Sequence, residues 1–60
     1  MKTVIIEYAT IAPDVLIMKI EKAFPGAIAI FKDIDEDYFE LSIWGCNDLA
    51  MLEDVLAEYM

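Results

Sequence analysis

The chain has 60 residues, of which 60% are hydrophobic and 27% charged, and 12 acids against 4 lysines give it a net charge of −8. So short a chain can bury a single core, and its apolar content argues against disorder caused by too little hydrophobic surface. Because nucleic-acid binding depends on Lys and Arg that neutralise phosphates, the charge excludes direct DNA or RNA binding. We therefore expect one compact domain that spans residues 1–60.

The first three predicted elements are a strand, a helix and a strand. Residues 3–8 alternate Val4 and Ile6 with Thr3, Ile5 and Glu7, which is typical of a strand with one buried face. Residues 14–24 follow a proline and carry apolar side chains within one arc of about 120° at helical spacing, which predicts an amphipathic helix. A Pro-Gly pair ends this helix, and the short apolar run 27–32 predicts the second strand.

The remaining elements are a third strand and a second helix. Residues 38–44 alternate apolar and polar side chains and predict a strand, after a connection at residues 33–37 that suits a hairpin. Gly45 interrupts this strand, Asn47 is a good helix cap, and Asp48 favours a helix N-terminus. An apolar stripe from Leu49 to Met60 then predicts a helix whose outer side is acidic.

This order predicts an α+β two-layer sandwich, β-α-β-β-α, with a three-stranded sheet and two helices on one face. A right-handed crossover places the first helix on that face, and the second helix packs beside it. Two strand orders remain open: the third strand lies between the first two, or the first two are direct parallel neighbours. We prefer the former, which resembles a ferredoxin-like half that lacks its last strand.

An aromatic and apolar surface is expected on the uncovered side of the sheet. If Phe39 and its alternate neighbours face the helices, then Tyr38 and Trp44 face away from them. Ile5 and Phe31 join that face if the other strands keep the assumed register. Aromatic side chains dominate interface hot spots, so these four are candidate partner-binding residues; the alternative is that they only stabilise the sheet as cross-strand pairs.

The charge is uneven along the chain, since residues 33–60 hold nine acids and no lysine. Such carboxylates can imitate the spaced charges of a nucleic-acid backbone and dock into a basic groove. The alternative role is solubility, because a negative surface keeps a hydrophobic small protein from aggregating. The candidate partner-binding acids are Asp33, Asp35, Glu36, Asp37, Glu40, Glu53, Asp54 and Glu58.

The inventory of catalytic and metal-binding side chains is poor. Asp33, Asp35 and Asp37 have the spacing of a calcium loop, but Tyr38 occupies the position that requires Gly and Trp44 the position that requires Glu. The chain has no His and one Cys, Cys46, and nothing pairs a nucleophile with a base. We therefore expect no enzyme activity, no metal and no cofactor.

Two functional hypotheses follow for a protein that we expect to be cytoplasmic, since no apolar run approaches about 18 residues. The first is a small acidic module that inhibits or sequesters a basic partner, namely a nucleic-acid-binding protein or a nuclease. In size and charge this resembles compact virus-encoded inhibitors and antitoxins. The second is a structural or regulatory homodimer domain that uses the open sheet face or the edge of the first strand.

Overall fold

The protein adopts the predicted α+β architecture. The computed structural model describes residues 1–60, with the elements in the order β-α-β-β-α. The strands are β1 (Lys2–Glu7), β2 (Ile28–Asp33) and β3 (Tyr38–Trp44). The helices are α1 (Pro13–Ala23) and α2 (Leu49–Ala57). Each predicted strand lies within one residue of the observed one.

The sheet has the order β1-β3-β2, and β3 is antiparallel to both neighbours. The preferred of the two strand orders is thus confirmed. Val4 lies opposite Leu41 in the β1–β3 pair, and Ala29 lies opposite Ile43 in the β2–β3 pair. Since β3 occupies the centre, β1 and β2 are both edge strands.

One hydrophobic core lies between the sheet and the two helices. Its members come from one face of the sheet and from one stripe of each helix, and none of the buried side chains is polar. The core residues are Val4, Ile6, Ala29, Phe39, Leu41 and Ile43 from the strands, with Leu16, Ile20, Leu52 and Leu56 from the helices. Both helices therefore cover the same face of the sheet, as predicted.

The helix starts follow local chemistry. α1 begins at Pro13, where the missing proline N–H has no partner to lose, and Ala12 before it offers no side-chain cap. In α2 the Oδ1 atom of Asp48 accepts a hydrogen bond from the Met51 N–H at 3.0 Å. Asp48 therefore caps α2, in place of the Asn47 cap that the sequence favoured.

The molecule is elongated, with dimensions of 31 × 18 × 17 Å. Because successive elements run in alternating directions, the loops between them lie at its two ends. The hairpin end contains the ends of β1 and β2, residues 34–37, the start of α1 and the last turn of α2. The opposite end contains Met1, the end of α1 and the start of α2. There Gly45 has φ +74°, and a Cβ on it would lie 3.0 Å from the Gly26 carbonyl oxygen, so this close approach requires glycine.

Candidate functional site

The uncovered side of the sheet, here called the open face, exposes large apolar side chains. The register places on it Thr3, Ile5 and Glu7 of β1, Ile28, Ile30 and Lys32 of β2, and Tyr38, Glu40, Ser42 and Trp44 of β3. Five of these are large and apolar or aromatic, and their exposed fractions run from 40% to 58%. The predicted positions of Ile5, Tyr38 and Trp44 on this face are confirmed.

The predicted position of Phe31 on the open face is wrong. Phe31 lies opposite Leu41 and therefore faces the helices, where its ring meets that of Phe39 edge to face at a centroid distance of 6.2 Å. It is still 44% exposed because β2 is an edge strand. The apolar run of β2 has no alternation to fix its register, so the sequence did not reveal that Ile28 and Ile30 take the open positions.

Polar side chains divide the open face. Glu40, half-buried on the central strand, lies between Ile5 on one side and Lys32 on the other. The hydroxyls of Thr3 and Ser42 are 3.4 Å apart. The five large apolar and aromatic side chains therefore form an exposed surface that polar groups interrupt. A face of this kind is suited to a partner that offers both apolar and polar groups.

Seven exposed carboxylates gather at the hairpin end, and we call this surface the acidic end. Its members are Glu7, Asp14, Asp33, Asp35, Glu36, Asp37 and Glu58. The C-terminus of α2 lies at the same end and adds the negative end of the helix dipole. Lys2 and Lys22 lie toward the opposite end together with Glu21 and Asp48, so the excess of negative charge is greatest at the hairpin end.

Two members of the acidic end, Glu7 and Asp14, were not among the predicted partner-binding acids. They stand in the first half of the chain, where the acids are not concentrated. The signal that identifies them is topological: in a strand–helix–strand unit with parallel strands, the end of β1 and the start of α1 lie at the same end as the end of β2. The hairpin at residues 34–37 then adds its acids to the same place.

The other predicted acids lie outside the acidic end. The Lys2 Nζ atom is 3.2 Å from the Glu53 Oε1 atom, which ties the start of β1 to α2. Asp54 is exposed on α2, one turn before Glu58. Glu40 belongs to the open face. The structure therefore places the predicted binding acids on the acidic end, on the open face and on α2, and not on one surface.

Asp35 organises the hairpin loop. Its Oδ1 atom accepts hydrogen bonds from the N–H groups of Asp37 at 2.8 Å and Tyr38 at 3.0 Å. Such local bonds are typical of aspartate turns. No group of three or more side chains is arranged to hold a metal ion. The Asp35 carboxylate therefore holds the shape of the loop.

Tyr8 connects the acidic end to the core. Its ring contacts that of Phe39 at 5.1 Å between centroids, and its hydroxyl donates a hydrogen bond to the Asp33 carboxylate. This hydrogen bond raises the pKa of Tyr8 above its ordinary value, and desolvation and the negative charges of Asp33 and Asp35 act in the same direction. The neutral phenol is therefore favoured in the folded state.

The raised pKa of Tyr8 predicts a loss of stability in strong alkali. A folded state that binds a proton more tightly than the unfolded state gains stability below the unfolded pKa, near 10, and loses it as pH rises through the folded value. We expect the free energy of unfolding to fall above pH about 10, and Tyr8→Phe to lessen that fall. Urea unfolding of both proteins across this range measures it; an unchanged slope in the variant would contradict the prediction.

Comparisons with known proteins add no functional information. No protein-family model, curated protein or solved structure matches the chain. Neither α1 nor α2 combines the length and the apolar character that a bilayer-spanning helix requires. Cys46 is half-buried, and its Sγ atom lies 3.5 Å from the Asp48 carbonyl oxygen.

Proposed function

We propose that this protein is a small cytoplasmic binding module that inhibits or sequesters a basic protein, with the acidic end imitating nucleic acid. The partner is a nucleic-acid-binding or nucleic-acid-cleaving protein whose basic groove receives the carboxylates. The observation that carries the proposal is the gathering of seven exposed carboxylates at one end of the molecule. The module itself carries out no catalysis in this proposal.

The acidic end has the properties that electrostatic recognition needs. The loop carboxylates project from a hairpin whose shape Asp35 holds, so little order has to be gained on binding. Charges of one sign at one end of an elongated molecule orient it as it approaches a basic partner and raise the association rate. The open face lies next to this end through Tyr38, which pairs with Glu7, and it supplies apolar contact area.

The test is capture from a cell lysate with the immobilised protein, followed by elution with a salt gradient. We expect the captured proteins to be basic, to elute as salt rises, and to be displaced by duplex DNA added as a competitor. Their binding to DNA should then decrease as the free acidic protein is added. Captured proteins that are neutral or acidic, or that resist both salt and DNA, would show that the acidic end is not the recognition element.

A further inference from the structure

The open face has an uncharged half and a charged half. The register places Thr3, Ser42 and Ile30 side by side on the three strands, with Ile28 and Trp44 paired beyond them. None of these side chains is charged. The other half, nearer the hairpin, holds Ile5, Glu7, Lys32, Tyr38 and Glu40. All the charged side chains of the open face therefore lie in the half that adjoins the acidic end.

The charged half carries an excess of negative charge. Glu40 and Lys32 lie opposite each other and offset one another, which leaves Glu7. Glu7 is also a member of the acidic end, whose six other carboxylates lie at the same end of the molecule. A ligand that covers the open face therefore meets apolar surface at one end and a negative field at the other.

The dimensions of the open face match those of one α-helix. Neighbouring strands are about 4.8 Å apart, so about 10 Å separates the outer strands of the sheet. An α-helix with its side chains is about 10–12 Å across. The central strand β3 has 7 residues and is therefore roughly 20 Å long, which is the length of about 14 helical residues. One helix of that length covers all three strands.

We propose that the open face binds one amphipathic α-helix of the basic partner, with apolar residues of that helix over the uncharged half and its lysines or arginines over the charged half. The inference rests on the proposed function, since it specifies which part of a basic protein is recognised. Amphipathic helices bind apolar surfaces through residues at positions i, i+3, i+4 and i+7. Tyr38 and Trp44, at the two ends of β3, supply the aromatic contacts that dominate many interfaces.

Charge complementarity selects this occupant. A second copy of the chain would bring another net charge of −8 to the face, whereas a helix with cations at one end is attracted to Glu7 and the acidic end and is oriented as it approaches. A helix without cations would cover the charged half and gain no compensating contact there. At the far end, Trp44 and Ile28 are 40% and 58% exposed, and covering them removes apolar surface from water.

Trp44 is the only tryptophan of the chain, so its fluorescence reports whether a ligand covers the open face. The probe is a synthetic helical peptide of about 14 residues, with a leucine stripe along one side, lysines at one end and no aromatic residue. We expect a saturable shift of the Trp44 emission to shorter wavelength, half complete below about 1 mM peptide at low salt. A control peptide of the same composition, with its leucines scattered around the helix, should bind at least about tenfold more weakly.

A nitroxide label on the peptide tests its orientation. We expect a label at the end without lysines to quench Trp44 more strongly than a label at the lysine end. Equal quenching from both ends, no binding of the striped peptide, or binding that leaves the Trp44 emission unchanged would overturn the inference. If the lysate experiment still captures basic proteins that salt and DNA displace, the proposed function stands without it.

A matched pair of variants adds the same negative charge at two exposed apolar positions. Ile30 on the open face is 57% exposed, and Met18 on α1 is 68% exposed. We expect Ile30→Glu to weaken binding of the striped peptide at least about tenfold, because the leucines would cover an unpaired carboxylate. Met18→Glu should bind the peptide within about twofold of the original protein. Circular dichroism verifies that both variants fold, and equal affinities of the two would overturn the placement of the helix on the open face.

Discussion

Replacing Phe39 with alanine is expected to remove roughly a third or more of the protein's free energy of unfolding. Phe39 is fully buried on the central strand, and its ring contacts those of Tyr8 and Phe31. Removing such a side chain costs about 3–5 kcal/mol through lost burial and the cavity left behind. A chain of this length has roughly 3–9 kcal/mol of total stability. Thermal unfolding followed by circular dichroism measures the change.

The control for Phe39→Ala is Phe31→Ala, which removes the same side chain from the same face of the sheet. Phe31 is 44% exposed on the edge strand β2, so its surroundings can relax and less burial is lost. We expect this variant to lose no more than about 1–2 kcal/mol. Equal losses in the two variants would contradict the position of the core that the structure describes.

The elements that were predictable from the sequence are those with one clear hydrophobic periodicity and clear boundary residues. β3 alternates buried and exposed side chains along its whole length, burying Phe39, Leu41 and Ile43 in turn, and its bounds agree with the prediction. α1 is opened by Pro13 and ended just before Pro25. In these segments a single periodicity and a single pair of boundary residues leave no competing arrangement.

The register of β2 was not predictable, because its apolar side chains stand on both faces. Ala29 is buried and Phe31 faces the helices, yet Ile28 and Ile30 point to the open face and are more exposed than either. Hydrophobicity alone would place the isoleucines in the core. The pairing with β3 places them on the other face, since Ile28 lies opposite Trp44 and Ile30 opposite Ser42. The open face is consequently more apolar than its sequence indicated.

The residues that form the acidic end could also be predicted only with knowledge of the topology. Asp33 to Asp37 are adjacent in sequence and their clustering was evident, but Glu7, Asp14 and Glu58 come from three separate elements. Only the alternating chain direction brings them together. Sequence position therefore indicated that the charge was uneven, while the fold determines which carboxylates act as one surface.

Neutralising three carboxylates of the acidic end is expected to weaken binding of the captured basic protein by roughly threefold to a hundredfold at low salt, as three charge pairs of about 0.2–1 kcal/mol each imply. The variant is Glu36→Gln combined with Asp37→Asn and Glu58→Gln, which spares the Asp35 carboxylate that holds the loop. Calorimetry or fluorescence titration at several salt concentrations measures it. The dependence of affinity on salt should also decrease.

The control separates local charge from net charge. Glu21→Lys combined with Ala23→Lys changes the net charge by the same amount, but at exposed positions near the end of α1, far from the hairpin. Because charges beyond a Debye length are largely screened, this variant should bind within about twofold of the original protein at physiological salt. If both variants lose affinity equally, then the total charge attracts the partner without orienting it. Recognition by the acidic end requires that only the variant with the three neutralised carboxylates loses affinity.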